Sequence, residues 1–250
     1  FQGFFGWRLV LRWLKVITSP RLLAYLGLER YRYDVRDGRV VVVTSDKVKD
    51  VMAQVYPMTT SSLKVVTPGV TALHSATDAQ SQSAARAHLG LPLEGRCVLF
   101  VGNDYGKKGL SSLIHALRDL PKDVFVAVVG NAEQIPKFLN EARACGQASR
   151  IYFLGALKDV DIAYRAADCL AHPTLEDTFA MVVLEAMSFG LPVVVSGEEY
   201  CGISASLTHG DNALILENPR DVDALADAID SVLADENFAH QISVAAKEFA

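Results

Sequence analysis

The sequence has little that would support sulfur or metal chemistry. Its four cysteines (Cys97, Cys145, Cys169, Cys201) are scattered and form no C-x-x-C pair. That argues against a disulfide framework and against a zinc site of the usual spacing, so they read as small buried hydrophobes. The six histidines (His74, His88, His115, His172, His209, His240) show no H-E-x-x-H or other ligand spacing, and no metal site is expected. Nowhere do eighteen residues run without a charge, which removes a membrane-spanning helix. Positive charge is not in excess: a net charge of −5 and a pI near 5.7 leave no footprint for nucleic acid. Neither G-x-x-x-x-G-K-[ST] nor G-x-G-x-x-G occurs, and there is no repeat or low-complexity tract.

What is present is apolar. Half of the 250 residues are hydrophobic and 21% are charged, which excludes disorder and suffices for one large or two smaller domains. The chain begins at Phe1, not Met, and reads as a fragment of something longer. Charge is unevenly placed. Residues 1–33 hold Arg8, Arg12, Lys15, Arg21, Arg30 and Arg32 against Glu29 alone, a net +5, so −10 falls on the remainder. Arg8, Arg12 and Lys15 share one face of a helix over Phe4–Ile17, amid Phe4, Phe5, Trp7, Trp13 and several aliphatics. Such a segment suits the surface of an anionic membrane. It equally suits a helix packed within a domain, and the pattern leaves both readings open.

From Arg39 the pattern changes. RVVVVTS (39–45) reads as a buried parallel strand, Lys47–Tyr56 as a short helix, and KVVTPGV (64–70) as a strand ending in a turn. Residues 1–66 thus form one region. Residues 67–93, rich in Ala, Ser, Thr and Gln with a helix near 81–89, read as a connector. Then strands CVLFV (97–101), VFVAVVG (124–130), RIYFLG (150–155), CLAHP (169–173), PVVVS (192–196) and ALIL (213–216) alternate with helical periods such as Leu110–Leu120 and Ile135–Ala144. This predicts a doubly wound parallel sheet over 94–220, followed by two helices over 221–250 broken near Asp235.

Ligands of such sheets bind beyond the carboxyl ends of the strands. Two segments fall there. In VGNDYGKKGL (101–110), Gly102 and Gly106 permit a tight turn, and Lys107 and Lys108 stand where a helix begins. Cations oppose the helix dipole at that end, so the pair suggests an external anion such as a diphosphate; two solvated surface lysines are the alternative. In HPTLEDTFAMVVLEAMSFGLPVVVS (172–196), Asp177 or Thr178 should cap a helix that ends at Gly190 before Pro192. Glu185 is the only charge within it, and a buried carboxylate must find a partner. A nucleotide sugar along the helix start would meet the N–H groups near Ala180, Met181 and Val182, with Asp177 toward the sugar and Glu185 toward the ribose. The alternative for Glu185 is a structural ion pair. His172 and the loop Tyr200-Cys201-Gly202 could approach the same place.

These two segments resemble the retaining GT-B glycosyltransferases of family 4, whose signature is an acid, seven residues, then Glu. The spacing of Asp177 and Glu185 matches it, EAMSFGLPVVVS is similar to the family's continuation, and VGNDYGKKG is similar to its glycine and basic-pair loop. The likeness spans about residues 38–235 and is nearest the branch that adds glucose to the bacterial lipopolysaccharide core. It implies a complete C-terminal Rossmann-like domain preceded by the end of a truncated N-terminal one. It implies Lys107 and Lys108 on the departing diphosphate, Glu185 on the ribose, Asp177 on the sugar, and the loop at Leu157 holding uracil, with Gly102 giving backbone access. Three positions depart: Asp177 replaces the usual Glu with Glu176 beside it, Ala180 replaces a common Gly, and Lys107 replaces a common Arg.

The implied activity is metal-independent transfer of a hexose, in particular glucose, from a UDP-sugar to a lipopolysaccharide-core or other lipid-linked saccharide, with no cofactor. The chain alone is expected to be inactive. The implied location is the cytoplasm, at the inner membrane face through the Phe4–Ile17 helix. Competing readings are a non-catalytic nucleotide-binding or membrane-surface module, a mannosyltransferase, and a nucleotide-sugar epimerase.

Overall fold

The computed structural model describes residues 13–14, 16–33, 39–70 and 78–250. Most of the basic aromatic segment, including Arg8, Arg12 and Lys15, lies outside them. The chain divides into two compact units, Phe1–Val66 and Thr67–Ala250.

In the first unit, helix α1 (Pro20–Arg32) starts with Ser19 as N-cap and Pro20 in its first turn. It ends where the Arg39 guanidinium donates to the carbonyls of Tyr31 (2.9 Å) and Arg32 (2.7 Å). None of its residues is buried, and Leu23, Tyr25, Leu26, Leu28 and Tyr31 are exposed. Strands β1 (Val41–Val43) and β2 (Leu63–Val65) pair in parallel around helix α2 (Asp46–Val55). The parallel pairing agrees with the sequence, but burial of the strand does so only in part. Val43 is buried whereas Val42 is 58% exposed, because among the described residues of this unit nothing covers that face.

The second unit holds a six-stranded sheet in the order β5-β4-β3-β6-β7-β8, all parallel. The strands are β3 (Arg96–Gly102), β4 (Val124–Gly130), β5 (Ile151–Gly155), β6 (Cys169–His172), β7 (Val193–Ser196) and β8 (Leu214–Leu216). Alternation along them fills two cores. Cys97, Leu99, Phe125, Ala127 and Val129 face one layer, and Val98, Phe100, Val124, Val126 and Val128 the other. The helices are α3 (Ala79–Leu89), α4 (Leu110–Ala116), α5 (Ile135–Ala144), α6 (Asp161–Ala166), α7 (Met181–Ser188), α8 (Val222–Ala234) and α9 (Glu236–Phe249). The chain builds outward from β3 in one direction and from β6 in the other. The switch point between these two strands is where a doubly wound sheet opens a crevice.

Two arginines, one buried and one half-buried, pin the periphery. Residues 67–93, which read as a connector, fall in the second unit, and α3 is locked there through Arg86. This guanidinium is 3% exposed, pairs with Asp168 at 2.6 Å, and donates to the carbonyls of Ala166 and Gly95. The helix expected over Leu110–Leu120 ends at Ala116, and Arg150 donates to the carbonyls of Leu117, Leu120 and Pro121 in the turn beyond it. At the close of α7, Gly190 (φ 75°) lets its own N–H reach Met187 O and the Leu191 N–H reach Ala186 O. That is the helix stop the sequence predicts there.

Candidate active site

A cleft of about 490 Å³ opens beyond the carboxyl ends of β3 and β6. One wall is the end of β3 with the following loop, from Gly102 to Lys108. Another is the start of α7, and a third is the turn after β5 with Ala156, Leu157 and Val160. Close chain approach shapes it. Gly109 (φ 79°) passes so near Pro173 that a Cβ there would collide with the Pro173 carbonyl, and a Cβ on Gly102 would meet the stem of Lys108 at 2.8 Å. Gly106, by contrast, has neither a positive φ nor a crowded Cβ position.

The expected residues mostly converge. Gly102, Lys108, Leu157, Asp177, Ala180, Met181, Val182 and Glu185 all line the cleft. Lys107 does not. Its ammonium lies 3.2 Å from Glu176, both side chains more than half exposed, a surface pair of about 0–1 kcal/mol. Glu176 is therefore turned away, and the acid in the cleft is Asp177.

Helix α7 starts later than expected because Ala180 takes the cap position in left-handed backbone, φ 74° and ψ 71°. It is the only non-glycine with positive φ among the described residues. That conformation costs an L-residue about 1–2 kcal/mol, which accounts for a glycine being common there. The Ala180 N–H is not free for a ligand, since Asp177 Oδ1 accepts it at 3.0 Å, together with that of Phe179 at 3.2 Å. Met181 and Val182 supply the first amides of the helix proper. Its buried face carries Val183, Leu184, Ala186 and Met187, and its half-buried face presents Met181, Val182 and Glu185 to the cleft.

Glu185 finds its partner in a tyrosine. The hydroxyl of Tyr164, from α6, donates to Glu185 Oε2 at 2.7 Å, and the ring stacks on Phe189 with centroids 5.3 Å apart. Burial and the adjacent carboxylate push the phenol far above its ordinary value, so it keeps the proton it donates to Glu185. Sequence reasoning missed Tyr164, as it missed the lining residues Asn103, Asp104 and Val160. A lone Tyr on a short helix carries no signal beyond its helical period.

Asp177 sits in a tight polar knot. Its Oδ2 accepts from Lys108 Nζ at 2.5 Å and lies 3.1 Å from His172 Nε2. Burial alone would raise this carboxyl, but hydrogen bonds from His172 and Lys108 outweigh it and hold the group well below the carboxylate range. His172 is fully buried, and burial holds its ring below the ordinary histidine value, with Lys108 adding to the effect and Asp177 opposing it. Its Nδ1 has no partner among the described residues. A bare Nδ1 suits the neutral ring with its proton on Nε2; a charged ring would bury an N–H without an acceptor. The Tyr200–Gly202 loop backs this knot rather than lining the cleft: Tyr200 O accepts the Asp177 N–H, and Asp177 O accepts that of Gly202.

Acid sensitivity follows. The unfolded chain protonates His172 near pH 6.5 while the folded ring resists, so stability falls with pH below about 6.5 at up to about 1.4 kcal/mol per unit until the native ring titrates. Asp177 adds a second loss as pH drops below about 4 toward its depressed value. Urea unfolding at pH 7 and pH 5.5 should show the parent weaker at pH 5.5, and His172→Gln flatter across that interval.

Among the described residues no group of three His, Cys, Asp or Glu could hold a metal ion, and no helix is long and apolar enough to cross a membrane. The cysteines Cys97, Cys169 and Cys201 are buried and unpaired, and burial pushes Cys97 and Cys201 up to about 12, leaving them inert as nucleophiles.

A doubly wound parallel sheet with a cleft at its switch point defines a Rossmann-like domain. The sequence places it further: residues 81–249 match the family described as Glycosyl transferases group 1, and the chain belongs to that family. Among curated relatives, it is 30% identical to the D-inositol 3-phosphate glycosyltransferase of Xylanimonas cellulosilytica, over 83% of this chain and 51% of that protein. It is 26% identical to the lipopolysaccharide glucosyltransferase WaaG of Escherichia coli, over 80% of this chain and 54% of that one. The chain thus spans about half the length of the curated relatives it matches. The crystal structure of WaaG superposes with a TM-score of 0.80 at 22% identity, over 100% of this chain and 69% of that one. Anabaena HepE, solved with UDP and glucose, gives 0.75 at 24%, over 84% and 57%. These likenesses show the GT-B-type fold.

Proposed function

We propose that this chain supplies the donor side of a retaining glycosyltransferase moving a hexose, in particular glucose, from a UDP-sugar to a lipopolysaccharide-core or other lipid-linked saccharide. The observation that carries the reading is the meeting of Lys108, Asp177, Glu185 and the amino end of α7 in one cleft. Each has work suited to a nucleoside diphosphate sugar. Lys108 and the Met181 and Val182 amides face the charge that grows on the diphosphate as the glycosidic bond breaks. Glu185, with one oxygen held by Tyr164, accepts ribose hydroxyls through the other. Asp177 meets sugar hydroxyls, and the Leu157 turn holds the base. In this reading the leaving charge is met by lysine and amides, so catalysis needs no metal.

The role of residues 1–66 as the end of an acceptor-side domain belongs to the same proposal, supported by the parallel pair β1–β2 and by relatives about twice as long. So does attachment to the inner face of the cytoplasmic membrane. Its support is the +5 charge of residues 1–33 beside Trp, Phe and Leu, continued by the exposed apolar residues of α1. Reversing Arg8, Arg12 and Lys15 should then release the chain from anionic vesicles at physiological salt, at about 1 kcal/mol per basic residue. Unchanged co-sedimentation would assign those residues to packing. The reaction itself is tested by giving the full-length enzyme radiolabelled UDP- and GDP-sugars and a lipopolysaccharide-core acceptor. Transfer from a UDP-hexose is the expected result, and use of GDP-sugars alone would contradict it.

A further inference from the structure

We infer that Lys108 exchanges counter-ions when the donor binds, passing from Asp177 to the incoming diphosphate. The inference rests on the donor-cleft reading and concerns what that reading demands of the ion pair. Two of the three N–H groups of Lys108 are spent within the protein. Its Nζ donates to Asp177 Oδ2 at 2.5 Å and to the Glu176 carbonyl at 3.3 Å.

Of the two partners, the aspartate is the more firmly tethered. Asp177 is fixed at both ends. Oδ1 accepts the N–H groups of Phe179 and Ala180, Oδ2 keeps His172 Nε2, and its backbone is tied to Tyr200 and Gly202. Lys108 sits on a flexible four-carbon stem, in space that Gly102 leaves open. Passing Lys108 from carboxylate to diphosphate exchanges one anion for another, so the ammonium is never left half-buried without a counter-charge. The carboxylate keeps three donors and gains free lone pairs on Oδ2, which can accept hydroxyls of a sugar. The pair therefore favours ligands that bring a diphosphate and a hydroxyl-bearing group together.

The test is calorimetric titration of UDP into the 250-residue chain, Asp177→Asn, Lys108→Ala and the double variant. Asparagine retains the Oδ1 that caps the entry to α7, and its amide hydrogens cannot hold an ammonium. If folding is impaired, Asp177→Ser, whose hydroxyl can accept the same N–H, replaces it. The expected result is about tenfold tighter UDP binding for Asp177→Asn in the presence of Lys108, and less than about twofold in its absence. An equal gain in both backgrounds would mean simple relief of repulsion between carboxylate and diphosphate and would overturn the inference. No gain in either would also overturn it. If the folded parent binds no UDP, the donor-cleft reading falls with it; failure of the exchange alone leaves parent UDP binding intact.

Discussion

Lys108→Ala is expected to lower the turnover number of the active enzyme by about 10²–10³, the loss seen when one donor to a developing anion is removed. The reason lies in timing. The diphosphate carries its greatest charge as the glycosidic bond breaks, so a cation aimed at it stabilises the transition state more than the bound donor. The donor KM should change less than kcat. Steady-state kinetics over a range of donor concentrations separates the two, and a rise in KM with kcat unchanged would reduce Lys108 to a uniform binding contact. Lys107→Ala is the contrasting variant. Its side chain is 58% exposed and engaged with Glu176, so a change within about twofold is expected.

Arg86→Ala is expected to produce the largest loss of stability, about 3 kcal/mol, read as a fall in the urea midpoint at constant slope. The side chain ties α3 to the start of β3 and the end of α6, through Asp168 and the carbonyls of Ala166 and Gly95, with its guanidinium 5.5 Å from the centre of the Phe125 ring. Asp168 also accepts the Cys97 N–H at 2.5 Å and a Gln82 amide at 2.9 Å. Losing the arginine leaves a carboxylate without its cation inside this network. The figure is set at the lower end of the range for buried pairs because the Asp168 side chain is 28% exposed. Removing both partners with apolar residues should cost less than removing Arg86 alone; if the double variant is the weaker, the pair is not the pin.

The sheet was legible because its strands are short, β-branched apolar runs bounded by turns, and a run such as VFVAVVG (124–130), too short for a buried helix, suits a buried parallel strand. The 172–196 segment was legible for a similar reason, since its caps and its one internal charge are distinct against an apolar background. What the sequence concealed were contacts made across long separations. Arg86 lies in an Ala- and Ser-rich stretch that reads as a connector, and only Asp168, 82 residues away, reveals its role. Tyr164 reaches Glu185 across 21 residues. Lys107 and Lys108 are adjacent and chemically alike, yet the turn before α4 sends one to the cleft and the other to solvent. Local spacing placed both at the site, but only the backbone path around Gly109 and Pro173 decides between them.

The most direct measurement of the central claim is UDP affinity of the folded chain compared with that of Glu185→Gln. A charged hydrogen bond to a ribose hydroxyl is worth about 1.5–3 kcal/mol, so the variant should bind UDP about tenfold or more weakly while melting no lower than the parent. A Glu185→Gln chain that unfolds yet, where folded, holds UDP as tightly as the parent would make Glu185 a structural partner of Tyr164 and contradict the donor site.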